Sequence, residues 1–94
     1  SAAKTKEEAR RRTLIHELGH HVHLATPHAA VDAIVRAAWK SATKFVTKYA
    51  RTNRKEYFAE CFAAYYVDRP ALRQHDPDGL KMVEDVLRER GGEP

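Results

Sequence analysis

Apolar side chains recur at three- and four-residue steps through the first quarter of the chain, and polar residues fill the positions between them. This spacing is typical of an α-helix with one apolar face. It predicts a helix from Thr5 to Ala25, in which only Gly19 disfavours helical structure. The apolar positions of this helix are Leu14 or Ile15, Leu18, Val22 and Ala25.

A second helix is predicted after Thr26-Pro27, since threonine followed by proline suits the N-cap and first position of a helix. Its apolar positions are Val31, Ile34, Val35, Ala38 and Trp39. The helical spacing then continues, which favours further helix, at Ala42, Phe45, Val46 and Tyr49. The alternative is an extended segment, because β-branched and aromatic residues also occur here, namely Thr43, Phe45, Val46 and Thr47.

The segment from Arg54 to Val67 is predicted to be a buried helix. It follows the cap signal Thr52-Asn53, and it is apolar nearly all round its circumference. Arg69-Pro70 ends this helix and begins a short one that reaches about His75.

The last helix is predicted to begin at the cap Asp76-Pro77 and to end at Gly91-Gly92. Its apolar positions are Leu80, Val83, Val86 and Leu87. Almost no segment has the alternating pattern of a credible strand. The expected fold is therefore mainly α-helical, with little or no sheet.

The chain has 94 residues, which is enough for a single domain, residues 1–94. Hydrophobic residues make up 43% of it and charged residues 32%, as expected of a soluble globular domain. No apolar run approaches the roughly 20 residues of a membrane span, so no membrane segment is expected. A core this small gains stability from a bound metal ion, which makes metal-ligating residues worth seeking.

Charge is unevenly distributed along the chain, whose formal net charge is +4. Residues 36–55 contain seven basic side chains and no acidic one. Four of them repeat at i, i+4 spacing, namely Arg36, Lys40, Lys44 and Lys48, and this spacing favours a solvated helix face. The alternative is a surface for an acidic partner. No nucleic-acid module is recognisable, so nucleic-acid binding is not expected.

Cys61 is the single cysteine, which excludes an intramolecular disulfide. Residues 1–12 lack the apolar region of a signal peptide, so none is visible in this stretch. A domain taken from a longer protein would begin in the same way, and the localisation and oligomeric state therefore stay open.

The first helix contains His16-Glu17-Leu18-Gly19-His20, the pattern H-E-x-x-H. Two histidines four residues apart lie on one face of a helix and can bind the same ion. Zinc prefers such nitrogen ligands, and a catalytic zinc site has three protein ligands and a water. Glu17 lies about 100° round the helix from His16, close enough for its carboxylate to reach that water. Gly19 leaves room for another element to approach closely.

Glu56 and Glu60 are the only acids on the predicted buried helix, and they share one face of it. A buried carboxylate requires a cation or a hydrogen-bond donor opposite it. The two acids are therefore candidates for the third metal ligand and for a residue that orients a ligand histidine, and spacing does not decide which is which. The alternative is that they form the solvent edge of this helix, paired with Lys55 or Arg69.

The other polar residues have structural interpretations. His21 points away from the paired histidines, His23 is expected to be a partly exposed side chain, and His28 and His75 are expected at the surface near caps and turns. Cys61 is expected to be a buried thiol without a metal-binding role. Tyr49, judged by periodicity alone, is a core or boundary aromatic residue.

Two stretches nevertheless resemble a known family. The string Tyr49-Ala50-Arg51-Thr52-Asn53, followed by Glu56-Tyr57-Phe58-Ala59-Glu60-Cys61-Phe62, resembles the C-terminal catalytic domain of anthrax lethal factor. Similar zinc peptidase domains occur in bacterial toxins and phage-encoded proteins. The pairing of H-E-x-x-H with a downstream E-x-x-x-E marks the wider gluzincin group. The resemblance covers roughly Thr13 to Val67.

The resemblance implies a small zincin-type helical core, in which the H-E-x-x-H helix packs against the E-x-x-x-E helix. It implies that zinc is bound by His16, His20 and Glu56, and that Glu60 orients a ligand histidine. It further implies that Glu17 is the general base and that Tyr49 stabilises the oxyanion. Gluzincins generally bind substrate along the edge strand of a small sheet, which has no counterpart in this sequence.

The expected function is that of a zinc-dependent endopeptidase acting on a protein or peptide substrate. Two other classes of function stay open. In the first, the chain is a catalytically idle zinc-binding module of a larger toxin or phage protein. In the second, the basic segment Arg36 to Lys55 binds an acidic partner or nucleic acid and the histidines are incidental.

Overall fold

The computed structural model describes residues 5–91, which form five α-helices and one turn of 3-10 helix. The helices are α1 (Lys6–Leu24), α2 (Ala29–Ser41), α3 (Arg54–Val67), α4 (Arg69–His75) and α5 (Pro77–Glu89), and the 3-10 turn spans Tyr49–Arg51. Within residues 5–91 there is no strand. The mainly α-helical fold expected from the sequence is confirmed.

Side-chain caps begin most of these helices where the sequence predicts them. Asn53 accepts a hydrogen bond from the Glu56 amide at the start of α3, and Asp76 accepts one from the Gly79 amide at the start of α5. Each bond satisfies a backbone donor that has no partner within the helix. At the end of α5, Gly91 has a φ of 86°, the left-handed conformation that glycine adopts at little cost. Gly92 lies outside the described residues.

The start and the continuation of the second helix differ from expectation. The N-cap of α2 is His28 and not Thr26, because the imidazole of His28 accepts the Val31 amide hydrogen bond. The helix ends at Ser41, and Ala42 is extended with a ψ of 129°. The predicted helical continuation through residues 42–49 is therefore wrong. The β-branched residues here lower helix propensity, and Phe45 turns back to pack on Trp39, with ring centroids 6.0 Å apart.

The helix α3 lies at the centre of the fold and contacts each of the other four helices. All nine residues from Tyr57 to Tyr65 are buried, so the prediction of a buried helix is confirmed. Residues from α2, α4 and α5 complete the core, among them Val31, Val35, Leu72, Val83 and Val86.

The helix α1 packs closely along α3 at Gly19. A Cβ atom at this position would lie 3.1 Å from the Cα atom of Ala59 and 3.1 Å from the Cβ atom of Phe62. The close approach expected at this glycine is thus confirmed. Ile15 and Val22 pack against the core, whereas Leu14 and Leu18 face outward and are 69% and 50% exposed.

Candidate metal centre

The packing of α1 against α3 brings H-E-x-x-H and E-x-x-x-E face to face. Nδ1 of His16 lies 2.7 Å from Oε2 of Glu60, and Nε2 of His20 lies 3.0 Å from Oε1 of Glu56. A step of four residues forward along α1 thus corresponds to four residues back along α3, so the helices are antiparallel. Both motifs lie on helices, whose geometry holds their side chains in a fixed register.

His16, His20 and Glu56 form a group that could hold a metal ion. Their ligand atoms all lie within 4.8 Å of one another. Nε2 of His16 is 2.9 Å and Nε2 of His20 is 3.0 Å from the same Glu56 oxygen. Tetrahedral zinc with bonds of 2.0–2.1 Å holds its ligand atoms about 3.3 Å apart, so a small outward movement of these side chains would fit the ion. All three side chains are partly exposed, which leaves solvent access on one side.

The hydrogen bonds of His16 favour a cation at this position. Glu60 accepts a hydrogen bond from Nδ1 of His16, and a neutral ring with its proton on Nδ1 has a lone pair on Nε2. In that tautomer Nε2, which lies 2.9 Å from a carboxylate oxygen of Glu56, faces a second acceptor. Two facing acceptors require a proton or a metal ion between them. The donor set, two imidazole nitrogens and one carboxylate, suits a divalent ion such as zinc.

Glu60 contacts the Nδ1 atom of His16, whereas Glu56 contacts the Nε2 atom of the same ring. Glu60 is 8% exposed, and its Oε1 atom accepts a hydrogen bond of 2.7 Å from the Thr47 hydroxyl. Nη2 of Arg12 lies 3.7 Å from the same oxygen. The alternative that Glu60 belongs to a solvent edge, paired with Lys55 or Arg69, is therefore wrong. Of the two acids, Glu56 faces both histidines and Glu60 contacts only one of them.

Tyr49 lies beside this group, at the start of the 3-10 turn. Its ring centroid is 5.8 Å from that of His16, and the residue is 52% exposed. The negative charge of Glu56, followed by partial desolvation and a hydrogen bond to Glu56, raises the pKa of the Tyr49 phenol, with smaller contributions from Glu60 and Glu17. The phenol therefore stays protonated at neutral pH and is available as a hydrogen-bond donor.

Glu17 is exposed, and it follows His16 directly on α1. Its charge contributes to the raised pKa of the Tyr49 phenol. The exposed position of Glu17 leaves its carboxylate accessible to solvent.

Two residues that contact Glu60 were missed in the sequence. Arg12 stands four residues before His16 and so shares its helix face, a spacing that could have identified it. Thr47 had no such signal, because it lies in the segment that was predicted to be helical and is a loop. Its hydroxyl also accepts a hydrogen bond of 3.1 Å from the Ala50 amide, which ties the 3-10 turn to Glu60.

The expectation that His23 is partly exposed is wrong, and the expectation that Cys61 is buried is confirmed. His23 is 3% exposed, because its ring faces α3 and packs on the ring of Phe58. Cys61 is buried, and burial raises the pKa of its thiol well above the usual range. His21 and His75 are exposed, as expected.

The fold and the site define a small all-helical domain with a candidate metal centre between two antiparallel helices. The family model described as anthrax toxin lethal factor, N- and C-terminal domain, matches residues 1–85. The chain belongs to this family. Comparison with curated proteins and with solved structures found no significant match. None of the helices between residues 5 and 91 combines the length and apolar character that crossing a bilayer requires.

Proposed function

We propose that this domain is a zinc-dependent endopeptidase of the gluzincin type, acting on protein or peptide substrates. The observation that carries the proposal is the convergence of His16, His20 and Glu56. Membership of the lethal factor family supports it further. Zinc held by these residues supplies the Lewis acidity that polarises a scissile carbonyl and makes a water nucleophilic near neutral pH.

The chain's own residues have distinct tasks in this proposal. Glu17 accepts the proton of the attacking water and passes it to the leaving amine. Tyr49 donates its phenolic hydrogen to the oxyanion that develops on the carbonyl oxygen. Glu60 holds the His16 ring in the tautomer whose Nε2 atom is a ligand, through the bond of 2.7 Å to Nδ1.

The proposal is tested by metal analysis and peptide cleavage on the same protein samples. We expect about one zinc per native chain and cleavage of a mixed peptide library. Glu56→Gln should lose most of the zinc. Glu17→Gln should retain the zinc and lose hydrolysis, because the base is removed while the ligands remain. Undiminished cleavage by Glu17→Gln would refute the role of Glu17.

A second candidate function is a zinc-binding module without catalytic activity. It is favoured by one observation, that the part of the chain described by the structure offers no strand edge for a substrate. In that case the native chain would bind zinc with the same dependence on Glu56 and would cleave no peptide in the library. The two outcomes separate the candidates, since both require the ligands and only the first requires Glu17.

A further inference from the structure

A pocket of about 550 Å³ lies where three helix ends meet. Its walls include the last turn of α1 and the first turns of α2 and α3. The charged and histidine side chains on these walls are His23, His28, Asp32, Arg54 and Lys55, and Leu24 adds an apolar surface. None of these residues takes part in the proposed zinc chemistry.

The antiparallel register of α1 and α3 places this pocket next to the metal centre. The pairs His16–Glu60 and His20–Glu56 lie in successive turns, and the next turn brings the end of α1 beside the start of α3, at His23 and Arg54. One helical turn is about 5.4 Å long, whereas an extended peptide advances about 3.3 Å per residue. One helical turn therefore matches one or two residues of an extended peptide.

The charges around the pocket favour an anion. Arg54 and Lys55 are cationic, and α2 and α3 both begin here with the partial positive charge of a helix N-terminus. Asp32 is the acid of the pocket, and its charge is already paired, since its Oδ2 atom accepts a hydrogen bond of 2.6 Å from Nε of Arg36. Arg54 forms a second, longer ion pair with Asp32, with 3.8 Å between Nε and Oδ1.

Two buried polar atoms on the pocket walls have no hydrogen-bond partner among the described residues, Nδ1 of His23 and Nε of Arg54. The side chain of His23 is fully buried, and burial lowers its pKa, so the ring is neutral near pH 7. Its Nε2 atom lies 3.4 Å from Oδ1 of Asp32 and donates to it, which leaves a lone pair on Nδ1. The pocket thus offers an acceptor beside a cationic donor. The guanidinium of Arg54 and the ammonium of Lys55 match the carboxylate of an acidic side chain.

We propose that this pocket binds an acidic side chain of the peptide substrate, one or two positions from the scissile bond, with its carboxylate on Arg54 and Lys55. The proposal rests on the proposed peptidase function and adds the substrate class to it. It identifies Arg54 as a specificity-determining residue that is neither a metal ligand nor a proton carrier.

Peptide binding, followed by NMR, tests this proposal without requiring hydrolysis. The probes are two blocked pentapeptides that differ only in a central Glu or Gln, added to the ¹⁵N-labelled Glu17→Gln chain in the presence of zinc. We expect the Glu peptide to bind about tenfold more tightly, because it makes a charge-assisted contact. The backbone amides that shift should be those at the pocket, among them Ala29, Asp32 and Arg54.

Variants of the pocket complete the experiment. Arg54→Gln should reduce the preference for the Glu peptide to about twofold or less, and Lys55→Gln should reduce it in part. The matched control is Arg73→Gln, which removes the same charge from an exposed position on α4 and should keep the full preference. Lys55→Gln also serves as the second test if Arg54→Gln fails to fold, as judged by circular dichroism.

Three results would overturn the proposal. They are equal affinity for the two peptides, a preference that survives both pocket variants, and amide shifts confined to a different pocket, the one lined by Phe45, Lys48 and Arg51. The outcome for the peptidase function is separate. A chain that binds the Glu peptide through Arg54 and cleaves nothing would refute the peptidase function and support the pocket. Cleavage without a preference for the Glu peptide would support the peptidase function and refute the pocket.

Discussion

The Nδ1 atom of His16 lies 2.7 Å from Oε2 of Glu60, and the other oxygen of that carboxylate lies 2.7 Å from the hydroxyl of Thr47. These contacts join the loop before the 3-10 turn to a candidate metal ligand on α1. Because Nδ1 of His16 faces Glu60, its Nε2 atom faces Glu56 and lies 2.9 Å from Oε1 of that residue. Residues that touch no ligand atom of the site therefore influence how well it holds a cation.

Thr47→Val should weaken metal binding without removing a ligand. Valine keeps the shape of threonine and removes the hydroxyl that donates to Glu60 and accepts from the Ala50 amide. We expect the zinc dissociation constant to rise about tenfold, as is typical when the partner of a metal-ligating histidine is disturbed. Thr47→Ser retains the hydroxyl and should bind zinc like the native chain. Competition with a chromophoric chelator measures the constant, and equal affinity of Thr47→Val and Thr47→Ser would show that the hydroxyl plays no part.

Tyr49→Phe should separate catalysis from metal binding. The residue is 52% exposed, so stability and zinc content should stay at the native level. If the phenol donates to the oxyanion, kcat should fall by about 100-fold while KM changes little, as when one oxyanion donor is removed. Tyr66→Phe is the matched control, because this tyrosine is 42% exposed on α3 and loses the same atom. Similar loss of kcat in both variants would argue against a specific role for Tyr49.

The regular helices and the two helical motifs could be predicted because their signals are local. Helical spacing, caps such as Asn53 and Asp76, and the unusual apolarity of Arg54 to Val67 all occur within one turn or one segment. The face shared by His16 and His20 follows from the same geometry. Once the two helices are packed, a carboxylate of α3 is the expected third metal ligand beside the two histidines. Spacing alone could not decide whether that carboxylate is Glu56 or Glu60.

The parts that could not be predicted depend on contacts between distant segments. Thr47 reaches Glu60 because Phe45 packs against Trp39 and Tyr57 and thereby directs the loop back over α3. Helical periodicity in the same segment gave the wrong structure, since packing outweighed a weak local preference. His23 is buried for a related reason, since the contact that buries it involves Phe58, which is far from it in the chain.

Gly79→Ala should destabilise the fold although alanine is the better helix former. A Cβ atom here would overlap the Asp76 carboxylate and lie 2.8 Å from Sγ of Cys61. That carboxylate is buried, and it accepts hydrogen bonds from the Gly79 amide and the Tyr57 hydroxyl. We expect a loss of about 2 kcal/mol in the free energy of unfolding, the net of about 3 for overpacking and about 1 gained in helix propensity.

Urea denaturation measures the effect of this substitution, and a double-mutant cycle locates it. Tyr57→Phe removes the buried hydroxyl that donates to Asp76 over 2.8 Å. If the Gly79→Ala methyl group acts by displacing that carboxylate, the two substitutions disturb the same hydrogen bonds, and their effects should not add. Full additivity would mean that Gly79→Ala acts on something other than the Asp76 carboxylate. A Gly79→Ala protein as stable as the native chain would contradict the predicted overlap of the Cβ atom with that carboxylate.

The buried His23 should make stability depend on pH. Desolvation is the largest cause that lowers its pKa below 6.5, and it outweighs the hydrogen bond to Asp32, while the charges of Arg54 and His20 act in the same direction as desolvation. The unfolded chain therefore binds a proton at His23 more readily than the folded chain does. The stability that the neutral ring contributes is present above pH 6.5 and is lost as the pH falls from there toward the folded pKa, by at most about 1.4 kcal/mol per pH unit.

Comparison with His23→Gln isolates this contribution from that of the other histidines. The free energy of unfolding is measured in chelator at several values between pH 5 and pH 8, so that metal binding does not enter. The native chain should lose stability on acidification more steeply than His23→Gln, because only the native chain must protonate a buried ring. His75→Gln, which alters an exposed histidine on α4, should follow the native curve. Asp32 does not interfere, since its pKa is held below 3.8 by the Arg36 hydrogen bond, so it stays charged over this range. Parallel curves for the native chain and His23→Gln would mean that the His23 ring is not buried in its neutral form.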